Sequence, residues 1–195
     1  IYEFMKDIAN IRILKEKTIK ALQRSIIARS LALDEGMRDA EAIQISAMLY
    51  DLGQYLVALF EPAVFLEIEL LCDDRRIGRE TASKKIIGIS YSELGRFIAG
   101  KWGLPESIIY AMNPSVDLEA DKACLSRDDL QRCICAFTYE LCKISLSMPG
   151  DEAGKKILHL SERYMNCLEI APTQSVELLK MSQEKMKTHT RILND

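Results

Sequence analysis

The sequence predicts an all-α fold, a single multi-helix domain over residues 1–195, and three observations carry that reading. Apolar residues recur at helical spacing along almost the whole chain, whereas strict apolar–polar alternation over strand lengths is scarce. Helix punctuation recurs as well, with glycines at 36, 53 and 103 and prolines at 62, 105, 114 and 172. A chain of 195 residues with 48% apolar content can bury one sizeable core. There is no internal repeat and no low-complexity tract.

Taken in order, the opening stretch places Phe4, Ile8 and Ile11 on one face. A second segment carries Ile19, Leu22, Ile26 and Leu33 inward and stops near Gly36. Asp39 suits the N-cap of the next helix, whose inward face is Ala40, Ile43, Ala47 and Tyr50, and Gly53 suits its left-handed stop. The apolar run from Tyr55 to Phe60 leads to Pro62, which fits the first turn of a helix burying Phe65, Ile68 and Leu71. Asp73-Asp74-Arg75-Arg76 reads as a polar turn. Ser90 and Glu93 have capping-box spacing, and the helix they start carries Leu94, Phe97 and Ile98 up to Lys101-Trp102-Gly103.

Pro105 opens a short helix that Pro114 ends, and residues 114–125 form the best candidate for a long surface loop. Ser126 caps a helix with Leu130, Cys133, Ile134, Phe137, Leu141 and Ile144 along one stripe. Met148-Pro149-Gly150 breaks that helix. Asp151 starts another with Ile157, Leu160 and Tyr164 inward, and Pro172 leads into the last, with Val176, Leu179 and Met186.

Composition excludes several functions. A net charge of −3 gives no electrostatic footprint for nucleic acid, and the basic clusters Arg75-Arg76-Ile77-Gly78-Arg79, Lys84-Lys85 and Lys155-Lys156 read as solvated faces. No run of about 18 uncharged apolar residues and no export signal occurs, so the expectation is a cytoplasmic chain without a membrane span. Ile1 in first position suggests a segment cut from something longer. The six cysteines at 72, 124, 133, 135, 142 and 167 contain no Cys-x-x-Cys. On one helix, Cys133 and Cys135 point roughly 160° apart and Cys142 lies about 10 Å beyond, too far for one zinc. They read as reduced thiols packed like small hydrophobes. Trp102 reads as a core anchor, and the eight scattered methionines as core filling. Neither Ser25 nor Ser90 has a histidine near it in sequence, which leaves nucleophilic catalysis without support.

Four stretches together carry a family resemblance: Ala47-Met48-Leu49-Tyr50-Asp51-Leu52-Gly53, then Pro62, then Gly88-Ile89-Ser90-Tyr91-Ser92-Glu93-Leu94-Gly95, then Lys101-Trp102-Gly103-Leu104-Pro105-Glu106-Ser107-Ile108-Ile109. In this order and spacing, residues 42–112 resemble the HDOD domain, the signal-output relative of the HD phosphohydrolases, and a looser likeness extends over 17–190. The resemblance implies an all-α fold whose first helices would precede Ile1.

In catalytic HD enzymes, it further implies, a first histidine, a His-Asp pair and a distant aspartate hold metal that activates water. Here those positions fall near Arg24-Ser25, on Tyr50-Asp51 and near Thr138-Tyr139, so only Asp51 remains of the set. A later position that is often histidine is Tyr91, and the histidine-rich end of the next helix falls near Asn113-Pro114. His159 and His189 lie outside the motif. The expectation is therefore no metal, no cofactor and no catalysis, with Arg24, Tyr50, Asp51 and Tyr91 as a vestigial site filling the old metal cavity with hydrogen bonds. Asp51, at a helix C-terminus, is disfavoured by the macrodipole by about 0.3–1 kcal/mol. It either stays solvated in a turn or pairs with Arg24. The function expected is a bacterial-type signal-output module that contacts other signalling domains or proteins. Two alternatives are a hydrolase rebuilt around Asp51, Asp73 and Asp74, and a domain that senses a nucleotide or other small molecule in the cavity.

Overall fold

One 33-residue helix, α1 (Tyr2–Asp34), is the spine against which α2, α3, α8 and α11 all pack in this computed structural model. The structure describes the backbone at residues 2–147 and 150–192 and the side chains at 11–144 and 152–187. After α1 come α2 (Ala40–Leu49), α3 (Leu52–Phe60), α4 (Pro62–Arg75), α5 (Arg79–Ile87), α6 (Tyr91–Lys101) and α7 (Glu106–Ala111). A loop with one 3₁₀ turn (Lys122–Cys124) leads to α8 (Arg127–Ser147), α9 (Gly150–Arg163), α10 (Met165–Leu168) and α11 (Pro172–Ile192). No strand occurs among the described residues, as the periodicity requires.

The described core forms three apolar clusters. The largest joins Ile27 and Leu31 of α1, Ile43 and Ala47 of α2 and the predicted α8 stripe to Ile157, Leu160 and Tyr164 of α9. A second gathers Val57, Phe65, Ile68, Ala82 and Tyr91, with Ile13 and Leu14 of α1 against them. The third holds Leu52, Ala99, Ile108 and Met112. At roughly 25 cal/mol per Å² of apolar surface, such burial is the main favourable term of folding.

The face of α1 differs from the one read off the sequence. Ile11, Ile19 and Leu33 are exposed, and the buried positions among the described residues are Gln23, Arg24, Ser25, Ile27, Ala28, Leu31 and Ala32. Two long polar side chains share the inward face, so a stripe drawn through apolar residues alone is rotated off it. Gln23 donates to Ser182 Oγ of α11 at 3.2 Å, and Arg24 serves the site described below. Phe4 and Ile8 lie outside the described side chains, as do Met148 and Pro149 at the predicted break after α8.

Several caps follow the sequence. Pro62 occupies the first turn of α4, and Ser90 and Glu93 close a reciprocal capping box on α6. Ser126 Oγ accepts from Asp129 N at 3.1 Å, and Gly103 ends the α6 segment at φ +74°. The expected turn at 73–76 is instead the last helical turn of α4, with the reversal at Arg76, which adopts φ +50°. Trp102 and Phe97 are more than half exposed rather than core anchors. Among the described residues no single helix is long and apolar enough to cross a membrane. The pair α2 and α3 would together pass on length and composition, but it bends by 41° at its break.

Gly53 is the main correction. It does not stop α2; it lies inside α3, buried against α6. A Cβ on Gly53 would fall 2.0 Å from the carbonyl oxygen of Tyr91 and 2.8 Å from the amide nitrogen of Gly95. A Cβ on Gly95 would fall 2.8 Å from the amide nitrogen of Gly53. The two glycines thus let the backbones of α3 and α6 touch, a contact that any side chain would force apart.

Gly53→Ala is therefore expected to lower the unfolding free energy by about 3 kcal/mol or more, because the obstruction is backbone and cannot rotate away. Gly154→Ala, in α9 with open space around the added carbon, is expected to gain about 0.5–1 kcal/mol. Urea denaturation of the two variants reads both signs.

Candidate functional site

Tyr50, Asp51 and Leu52 form the bend between α2 and α3, and each goes to a different place. Tyr50 packs into the largest cluster and Leu52 into the third, while Asp51 turns toward α1. Arg24 of α1 meets it. Its Nη1 donates to Asp51 Oδ2 at 3.2 Å, its Nη2 to Asp51 Oδ1, and its Nε to the carbonyl oxygen of Ala47 at 3.1 Å. A guanidinium presents its donors in a fixed fork that matches a carboxylate. The third bond caps a carbonyl in the last turn of α2, where a cation is favoured by the helix dipole.

Asp51 occupies the N-cap position of α3 as well as following α2, so the dipole penalty expected at a C-terminus is offset by the N-terminus beyond it. The Arg24 side chain is 2% exposed and that of Asp51 16%. Burial alone would raise the Asp51 carboxyl, but the Arg24 charge and its hydrogen bonds hold it below the ordinary carboxylate range. Burial likewise works against the Arg24 charge, and Asp51 more than restores it.

Tyr139 of α8 covers the pair. Its ring centroid lies 5.3 Å from the Arg24 guanidinium carbon and 5.0 Å from the ring centroid of Tyr50. Burial pushes its hydroxyl up to about 12. Tyr91, at the start of α6, lines the same cleft, and its hydroxyl is buried without a hydrogen-bond partner. The four expected residues are therefore gathered at one cleft, but the hydrogen bonding is confined to Arg24 and Asp51. Tyr50 contributes a ring contact, and Tyr91 an orphaned hydroxyl whose burial costs about 1–3 kcal/mol.

The cleft has two lobes. One, of about 580 Å³, lies over Tyr50, Asp51, Tyr91 and Tyr139; the other, of about 310 Å³, lies between α1, α4 and α8. Asp51, Gln54, Arg79, Tyr139 and Lys143 border both. Arg79 Nε donates to Glu69 Oε1 at 2.6 Å, with a second bond from Nη2, and Gln54 Nε2 reaches the same Glu69 oxygen at 3.4 Å. Sequence reading placed Arg79 in a solvated basic cluster; its partner lies ten residues earlier, across the α4–α5 turn, and no local pattern marks the pair. Asp73 borders the larger lobe, whereas Asp74 is exposed and accepts from Arg75. Thr138 is buried and bonds the carbonyl of Cys135, and Asn113 caps the amide of Ser115. The six cysteines are all free thiols, four of them buried.

The donor set does not fit a metal. Both Asp51 oxygens accept from a fixed cation, Arg24 stands where the resemblance would put the first histidine, and no group of three or more potential ligands exists among the described residues. No step through a metal follows from these residues.

Arg24→Met leaves Asp51 buried without a partner and is expected to cost about 3–5 kcal/mol at pH 7. The sign of its pH dependence follows. In the parent the Asp51 carboxyl lies low, so the stability it contributes is present above the unfolded carboxylate pKa and is lost as pH falls through the folded value. In Arg24→Met burial raises that carboxyl, so the deficit should shrink on acidification. Adding Asp51→Leu should restore much of the stability at pH 7, since replacing a buried pair by apolar groups is often neutral or better. Denaturant titrations of the three proteins between pH 3 and 7 measure each step.

Comparison with known proteins places this geometry. The sequence model of the HDOD domain matches residues 3–117. No curated protein matches the chain. Two solved structures share the fold. One is a candidate phosphohydrolase from Shewanella amazonensis SB2B, at 18% identity and a TM-score of 0.64, covering 86% of this chain and 60% of that one. The other is an HDOD domain protein with unknown function from Geobacter sulfurreducens, at 19% identity and a TM-score of 0.63, covering 88% and 61%. The chain thus spans about three-fifths of the length of each. With the family match extending over more than half of its residues, the chain belongs to the HDOD domain family.

Proposed function

We propose that the chain is a non-catalytic, cytoplasmic output module of a bacterial signalling protein, acting by contact with other domains or proteins. The observation that carries this is the Arg24–Asp51 pair. The one carboxylate left from the HD ligand pattern already has a cation bonded to both oxygens. Displacing Arg24 to seat a metal would strand a guanidinium that is 2% exposed.

Support for a contact function comes from the surface. Phe60, Leu66 and Leu70 on α3 and α4, and Phe97 and Trp102 at α6, are exposed large apolar side chains on elements that pack in sequence around α3. Exposed aromatic side chains of this kind are common anchors of protein interfaces. The net charge of −3 argues for protein rather than nucleic-acid partners. Both structural relatives come from bacteria, in keeping with the signalling context.

The rebuilt-hydrolase alternative is weakened by Asp74, which faces solvent on Arg75 rather than the cleft. A metal assay joined to a phosphodiesterase and nucleotidase screen separates the two. The expected result is no stoichiometric transition metal and no turnover. A stoichiometric metal together with turnover that Asp51→Ala abolishes would establish the hydrolase instead.

A further inference from the structure

The larger lobe of the cleft is walled by three phenols, those of Tyr50, Tyr91 and Tyr139. No hydrogen bond joins any of their hydroxyls to a described residue, and that of Tyr91 is buried. Tyrosine hydroxyls withdrawn from water normally find a partner, so three unbonded ones around a single cavity need an explanation. Gln54, 6% exposed, borders the same lobe, and the 3.4 Å contact with Glu69 is the one hydrogen bond of its side-chain amide among the described residues. The ionic groups of the wall are better matched. Asp51 pairs with Arg24, Arg79 with Glu69 and Glu140 with Arg163. Asp73 and Arg76, one charge of each sign, are exposed; Glu80, which accepts from Ser92, and Lys143 add one more of each. The lobe thus offers ring faces and neutral hydrogen-bonding groups rather than a surplus of either charge.

We propose that this lobe is a binding site for an uncharged, planar heteroaromatic molecule, held among the phenols of Tyr50 and Tyr139 and the amide of Gln54. The two phenol rings have centroids 5.0 Å apart and planes tilted by 41°, and flat aromatic ligands pack well against the edges and faces of such a pair. A phenol both donates and accepts, and a carboxamide adds two donors and an acceptor, so together they can match the mixed donor and acceptor edge of a heterocycle. Protonation agrees with the geometry. Burial pushes the Tyr139 hydroxyl up to about 12 and raises those of Tyr50 and Tyr91 as well, so all three keep their protons at neutral pH. The lobe's volume of about 580 Å³ suits a ligand of nucleoside size.

Tyr50 lies at the bend between α2 and α3, Gln54 on α3 and Tyr139 on α8. A ligand touching all three would bridge the bend to α8 by direct contact. The inference goes beyond the interaction reading and does not depend on it, since the walls of the lobe are the same whether or not a protein partner exists.

The test is calorimetric titration of the full chain with adenosine and, separately, riboflavin, two uncharged heterocycles of different ring size, and with adenosine monophosphate as the charged counterpart. Saturable one-site binding is expected for at least one of the uncharged pair, with the monophosphate no tighter than adenosine. Tyr50→Phe and Tyr139→Phe keep the rings and remove hydroxyls that no described residue bonds, so both variants should fold. Each is expected to weaken binding by about threefold or more, and the two together by about tenfold, the scale of lost neutral hydrogen bonds. Tyr110→Phe, whose hydroxyl bonds Asp129 outside the lobe, is expected to leave it unchanged. Ring-labelled tyrosine NMR needs no binding-site variant: the ligand should move the Tyr50 and Tyr139 signals but not that of Tyr110. Absence of saturable binding by both uncharged probes, or binding that ignores Tyr50 and Tyr139 in both readouts, overturns the proposal, and so does a monophosphate that binds more tightly than adenosine. None of these results would alter the metal and turnover assays, so failure here and failure of the interaction reading remain distinct.

Discussion

The Arg24–Asp51 pair is the constraint around which the site is arranged. It links the middle of α1 to the bend between α2 and α3, and through Ala47 it also closes the end of α2. Removing two charges from water costs several kcal/mol per ion, and only good geometry and further hydrogen bonds repay it. Here the fork is bidentate, a third bond is made to a carbonyl, and the ring of Tyr139 lies against the guanidinium. Such a pair adds little net stability over a hydrophobic replacement, but it fixes one register of α1 against the bend. Sliding α1 by a residue would strand both charges.

That register distributes the core. Tyr50 and Leu52 flank Asp51 and enter different apolar clusters, so the bend is held on both sides while the carboxylate is drawn between them. The next residue, Gly53, brings α3 into backbone contact with α6 at Tyr91 and Gly95. Tyr91 thereby lines the larger lobe of the cleft, while Arg24 lines the smaller. The Tyr91 hydroxyl stays buried there without a hydrogen-bond partner.

A chemistry built on Asp51 would need that carboxylate free. Its oxygens are instead committed to a side chain whose own position is set by burial along a 33-residue helix. What lines the cleft besides is three phenols, those of Tyr50, Tyr91 and Tyr139, and lysine side chains. The exposed apolar side chains on α3, α4 and α6 lie on the elements that frame the bend. Contact at those helices and events in the cleft therefore share structural elements.

Much of the fold was legible in the sequence because helical periodicity, proline at a first turn and the Ser90–Glu93 capping box are local signals. The α8 stripe and the inward face of α2 were read correctly for the same reason. The candidate site was legible only in part. Asp51, Arg24, Tyr50 and Tyr91 could be named by resemblance, which also pointed near Tyr139, while Glu69–Arg79 and Lys17 come together across helices with no shared motif. The inward face of α1 was misplaced because its buried positions include Gln23 and Arg24, whose burial is stabilised by partners on other helices. Gly53 was taken for a helix stop because a glycine after an aspartate is ambiguous along the chain; only the nearness of Tyr91 and Gly95 shows what it is for. The sequence by itself determined the all-α class and most helix ends, and its resemblance to the family pointed to the bend at Tyr50-Asp51. Tertiary structure alone decided which charges pair and which apolar side chains stay outside, because those depend on distances between residues far apart in the chain.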